Sequence, residues 1–189
     1  MLDDLKGEDF WKIARRYFVL NGFDGILTVL GITAGSFSTG VASPKVLITS
    51  SMGAAIALGV SGISGAYITE KAERLKEFKE LQSLMLSDLA DSIHKKNVTH
   101  RSIAISLING ASPFLCAVLS ALPYFAALAG IIGMELAYYF SAGIALGLMG
   151  SLGAFLAKIS KENLIIYGIK MIGVGILTVV LSLTLGIGG

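Results

Sequence analysis

Val46-Leu47-Ile48-Thr49-Ser50-Ser51-Met52-Gly53-Ala54-Ala55-Ile56-Ala57-Leu58-Gly59-Val60-Ser61-Gly62-Ile63-Ser64-Gly65-Ala66-Tyr67-Ile68-Thr69 runs without a single charge. It then passes directly into Glu70-Lys71-Ala72-Glu73-Arg74-Leu75-Lys76-Glu77-Phe78-Lys79-Glu80. About 20 apolar residues at 1.5 Å rise cross a hydrocarbon core roughly 30 Å thick, so the first stretch is long enough to span a bilayer. The charged stretch that follows has to lie outside it.

Four more runs meet the same length test. Tyr17 to about Ser38 is interrupted only by Asp24. Residues 102–134 and 136–157 are uncharged and separated by Glu135, which together suit two helices with a turn near 125–132, after Pro123 and around Gly130. The last, Leu164 to about Leu185, carries only Lys170. The fold class expected is therefore all-α: a polytopic membrane protein with five transmembrane helices at about 17–38, 46–69, 102–125, 132–157 and 164–185. A short cytosolic helical segment, 70–101, extends from the second helix. Composition agrees, with 54% apolar and 15% charged residues in 189 and a mean hydropathy of +0.76. An ordinary soluble domain carries roughly 25% charge.

The polarity of the ends gives an orientation. With the N-terminus in the cytoplasm, Lys6, Lys12, Arg15, Arg16, the seven basic residues from Lys71 to Arg101, Lys158, Lys161 and Lys170 lie inside, and only Lys45 lies outside. That bias is the signature of the positive-inside rule. The C-terminus then faces outward. The acidic opening Met1-Leu2-Asp3-Asp4 differs from the basic start of a signal peptide, so the first hydrophobic run is expected to stay in the mature protein. A net charge of +2 with no basic stripe argues against a nucleic-acid partner. The lone Cys116 can form neither an intrachain disulfide nor a Cys-rich zinc site. No nucleophile elbow, His-Glu-x-x-His pair or Walker A sequence is present, so no enzyme activity and no tightly bound cofactor are expected.

Asp24 carries the sharpest functional signal. A carboxylate inside a span costs about 2.5–3.5 kcal/mol on insertion scales, which makes it a functional candidate. Asn21 is three residues earlier, and an amide oxygen and a carboxylate on one helical face could share a divalent cation. The alternative is a carboxyl that ties helices together. Glu70, Glu73, Glu77 and Glu80 fall within an arc of about 80° on a helix and form an acidic stripe. It reads either as a cation-collecting surface or as a solvated face, since Glu70 to Arg74 and Lys76 to Glu80 have the favourable i,i+4 order and Leu75, Phe78, Leu81 and Met85 make an apolar opposite face. Asp88, Asp91 and His94 recur every three residues and could ligate metal, although Lys95, Lys96 and Asn97 make an ordinary helix end the simpler reading. Gly31 with Gly35, and Gly143 with Gly147 followed by Gly150 and Gly153, have the spacing of close helix crossings, within the chain or at a dimer face.

Leu20-Asn21-Gly22-Phe23-Asp24-Gly25-Ile26-Leu27 resembles the Asn-Asp-Gly segment in the first span of the vacuolar iron transporter family. The resemblance extends through Gly65-Ala66-Tyr67-Ile68-Thr69-Glu70-Lys71-Ala72-Glu73, Leu122-Pro123-Tyr124 and Ile169-Lys170-Met171-Ile172-Gly173, and the chain looks like a short, archaeal-type member. It implies a five-span homodimer that exchanges Fe²⁺ or Mn²⁺ for protons and exports metal from the cytosol, with Asp24 on the path and the acidic stripe gathering metal. Phe23 stands where the family has Asn, and span two offers Ser61, Ser64 and Tyr67 in place of a family Met. A harder, oxygen-rich path would favour manganese or another divalent ion over iron. Outside the resemblance, two other readings stay open: a non-transporting scaffold or metal sensor that binds partners through 70–101, and a transporter of an organic solute.

Overall fold

The computed structural model describes residues 8–85 and 93–186. Those residues form five helices and no strand: α1 (Glu8–Ser38), α2 (Pro44–Met85), α3 (Ile93–Leu128), α4 (Met134–Ser160) and α5 (Leu164–Gly186). All five are long and apolar enough to cross a membrane. The protein is an all-α, multi-pass membrane protein.

The helices run beyond the charge-free windows. α1 starts at Glu8 rather than near Tyr17, so Lys12, Arg15 and Arg16 are helical. Nothing in a polar helical turn breaks hydrogen bonding, and long basic side chains can reach water from near a helix end. α2 has 42 residues, roughly 63 Å at 1.5 Å per residue, about twice the hydrocarbon thickness. Its extension past Thr69 is continuous helix as far as Met85.

Local chemistry sets the breaks. Pro44 opens α2, where a missing N–H is no loss. Gly40 and Gly130 take positive φ (69° and 73°) in the turns after α1 and α3. The Asn163 side chain caps α5, its Oδ1 accepting from the Ile165 N–H at 2.9 Å.

α3 is the axis of the bundle, packing most extensively against α2 and α1 and also against α4, whereas α5 lies at the edge against α4 and α1. Its sequence explains the placement. Ser102, Ser106, Asn109, Ser112 and Ser120 follow one helical stripe, and all five are buried. Where lipid is as apolar as leucine, small and polar residues make the helix interface. Exposed leucine, isoleucine and phenylalanine cover the outside, including Ile165, Ile169 and Leu185 on α5.

Glycines mark the close crossings. A Cβ on Gly25 would lie 2.7 Å from the Pro113 Cα, and one on Gly22 would lie 2.8 Å from the Ser112 Oγ. On the other flank of α3, a Cβ on Gly62 would lie 2.9 Å from the Gly110 Cα. α4 meets α5 at Gly153, where a Cβ would lie 3.0 Å from the Gly168 Cα. The spacing expected to matter is only partly used: Gly150 and Gly153 pack on α5, but Gly35, Gly143 and Gly147 have nothing within 4 Å. Spacing shows that a backbone could approach a neighbour, while the buried stripe decides which face does so.

Candidate functional site

The segment Asn21-Gly22-Phe23-Asp24-Gly25 sits at the middle of the bundle, with Asp24 at the midpoint of the Phe10–Ser38 span. Gly22 and Gly25 face α3 and let the two backbones touch. This close approach fixes the rotation of α1 and therefore the direction of its polar side chains.

Asn21 points into the seam. Its Nδ2 donates to the Tyr17 carbonyl at 3.0 Å and to the Oδ1 of Asn109 on α3. The Asn109 Nδ2 in turn donates to the Gly62 carbonyl on α2 at 2.8 Å, and the Ser112 Oγ donates to the Phe18 carbonyl. Three helices are thereby joined through one pair of carboxamides. Sequence reasoning missed Asn109, although a carboxamide in an apolar span is itself a signal that a partner must be present.

Asp24 points outward. It is exposed in the single chain, and its carboxylate has no hydrogen-bond or ionic partner among the described residues. Only its backbone carbonyl is engaged, accepting from the Thr28 Oγ1 at 2.7 Å. A separation of three residues turns the helix by about 60° from exact alignment, which is enough to put Asn21 in the seam and Asp24 outside it. The amide group expected to share a cation with Asp24 is committed to α3.

The acidic stripe on α2 also divides. Glu70 is 3% exposed, with its Oε2 3.5 Å from the Arg74 Nε, and it lies within electrostatic reach of Arg16 on α1. Glu73, Glu77 and Glu80 are exposed, and Glu80 lies 3.8 Å from Lys76. The two i,i+4 pairs legible in the sequence both form. Tyr67 is held by Lys71, whose Nζ donates to its hydroxyl at 3.2 Å, while Ser61 and Ser64 face outward. Asp88 and Asp91 lie outside the described residues, and His94 is described only as part of the α3 backbone. Among the described residues, no three His, Cys, Asp or Glu side chains converge as a metal site within one chain.

Towards the end of α1 opposite its charged turns lies a second polar knot. The Tyr124 hydroxyl donates to the Thr33 Oγ1 at 2.7 Å, Thr33 and Ser141 share a hydrogen bond at 3.3 Å, and the Ser141 Oγ donates to the Ser120 carbonyl at 2.8 Å. Tyr138 reaches the Val41 carbonyl in the α1–α2 connection. Every polar atom of this chain of contacts has an internal partner, as a structural tie requires.

A protein of Methanocaldococcus jannaschii named "Uncharacterized protein MJ0645" is 35% identical to this chain over 160 residues, 83% of this chain and 80% of the relative. This chain belongs to the MJ0645 family. No protein-family model matches the chain, and no solved structure does. Identity over that length relates the MJ0645 family to most of the five-helix body rather than to one motif of it.

Proposed function

We propose that this chain is a divalent transition-metal transporter, moving Fe²⁺ or Mn²⁺ out of the cytosol in exchange for protons as a homodimer. The observation that carries the reading is the Asp24 carboxylate, which stands at mid-span with no partner among the described residues. Burial in lipid would cost several kcal/mol, so the group needs water, an ion or another protein surface beside it.

A second copy of the chain supplies such a surface. Only 22% of the spanning window of α2 is buried within one chain, and the helix exposes small residues, Gly53, Ala57, Ser61, Ser64 and Gly65, that permit close contact. Two copies could bring two Asp24 carboxylates to one path, with water and backbone carbonyls completing a hard-cation shell. Metal and protons then compete for the same oxygens, and loading one releases the other. Glu73, Glu77 and Glu80 would raise the cation concentration at the mouth, whereas Glu70 is held by Arg74 and acts in the packing of α2.

The positive-inside bias puts the N-terminus and 70–101 in the cytosol and the C-terminus outside, in the cell membrane. The test is metal uptake into proteoliposomes under a pH gradient, for the native chain and Asp24→Asn. A gradient-driven flux of Fe²⁺ or Mn²⁺ that disappears in the variant supports the reading. Metal binding without flux points to a sensor or scaffold, and unchanged flux in the variant removes Asp24 from the path.

A further inference from the structure

We propose that the groove between α1, α4 and α5, at the end where α1 begins, is a binding site for one anionic phospholipid. This site is independent of the metal reading. The cavity measures about 420 Å³. Lys12, Arg15 and Arg16 line one end of it, and Leu20 and Phe23 from α1 line the rest with Ile159 from α4 and Met171 from α5.

The order of residues along α1 gives the ligand its chemistry. Cations occupy 12–16 and apolar side chains occupy 19–23, so charge gives way to hydrocarbon over roughly 16 Å of helix axis. A phosphate with an attached acyl chain has the same polarity sequence over the same length. The apolar part opens to lipid, since Leu20 and Ile159 are exposed on the bundle surface.

Arg15 and Arg16 are placed to meet such a headgroup. The Arg15 Nε donates to the Trp11 carbonyl at 3.0 Å, which fixes the guanidinium while its terminal nitrogens have no partner among the described residues. Arg16 lies over the Tyr17 ring at 5.4 Å. Its field acts on Glu70, but that carboxylate already has Arg74 beside it, so Arg16 is not needed to neutralise it. A basic pocket between transmembrane helices is a known class of anionic-headgroup site.

The same seam contains an internal contrast. Farther along α1 it forms another groove of about 240 Å³ lined by Leu30, Thr33, Phe37, Tyr139 and Val179 among others, with no cation in its wall. That groove suits an acyl chain but offers nothing to select a charge. Of these two grooves, the first pairs an apolar slot with basic side chains and the second does not.

The test is native mass spectrometry of the detergent-purified full chain, mixed with equal amounts of phosphatidylglycerol and phosphatidylcholine. The expected result is retention of one phosphatidylglycerol per chain with a preference of about tenfold or more, at roughly one favourable ion contact per arginine. The double variant Arg15→Gln, Arg16→Gln should lose the preference. Lys76→Gln with Lys79→Gln, an equal loss of charge on the exposed α2 extension, should keep it. Equal retention of the two lipids by the native chain overturns the proposal, and that arm does not depend on any variant folding. Equal loss in both double variants assigns the preference to general surface charge and also overturns it. Glycerol phosphate displacing the lipid at equal concentration would assign the groove to a soluble anion instead.

Discussion

Asn21 and Asp24 stand three residues apart on α1 and are treated in opposite ways. Asn21 is turned into the seam with α3, bonded to Asn109 and through it to Gly62 on α2. Asp24 is turned out of the bundle, and its carboxylate has no partner among the described residues. In a bilayer, a fully bonded polar group ties helices together, whereas an unbonded ionisable one is a liability that an ion, water or partner must relieve. α1 therefore carries its bonded and its unbonded polarity on different sides, and the two sides can be broken separately.

Asp24→Asn gives the largest expected effect. Proton-driven Fe²⁺ or Mn²⁺ uptake should fall to the level of empty vesicles, while the thermal midpoint in detergent stays where it was. The stability half of that prediction follows from the exposure of the side chain, since no described contact is lost. A large drop in the midpoint would make Asp24 a helix tie and merge the two sides of α1. On the inward side, Gly25→Ala is expected to destabilise by roughly 2 kcal/mol, because the new methyl meets the Pro113 backbone rather than a side chain that can swing away. Unfolding by denaturant measures it. A neutral result would mean that α1 and α3 can separate without loss.

Asn109→Leu sharpens the same contrast. It deprives the Asn21 amide of one acceptor and the Gly62 carbonyl of its donor, and the expected loss is about 1 kcal/mol. Adding Asn21→Leu to it should cost less than the two single changes together, since the partners share one interaction. Full additivity would show that the carboxamides stabilise independently.

The five spans were legible because the bilayer imposes one rule, about 20 predominantly apolar residues, and the chain obeys it five times. Helix ends were less legible: α1 and α3 continue into charged turns, as hydrogen bonding allows and hydropathy does not register. Facing was the least legible. The Asn21–Asp24 spacing suggested a shared ligand, yet the crossing at Gly25 and Pro113 rotates α1 so that the two diverge. Likewise Glu70 looks like its neighbours in the acidic stripe, but it is buried beside Arg74 while Glu73, Glu77 and Glu80 are exposed. The facing of α1 depends on a packing partner distant in sequence, which a periodic pattern on one helix does not contain, whereas the Glu70–Arg74 pair was legible and only its burial was not.

Tyr124→Phe is the mildest intervention on the inward side of α1. The ring is fully buried and would stay packed, so the change removes the hydroxyl and little else. Thr33 then loses a donor at 2.7 Å but retains its contact with Ser141, which in turn keeps the Ser120 carbonyl. The expected loss is about 0.6 kcal/mol, the average for an interhelical hydrogen bond in a membrane protein, because the remaining hydroxyls can re-pair. Metal flux should be unchanged, since the knot lies on the structural side of the helix. A flux defect without a stability defect would place Thr33 and Tyr124 on the transport path and erase the division between the two sides of α1.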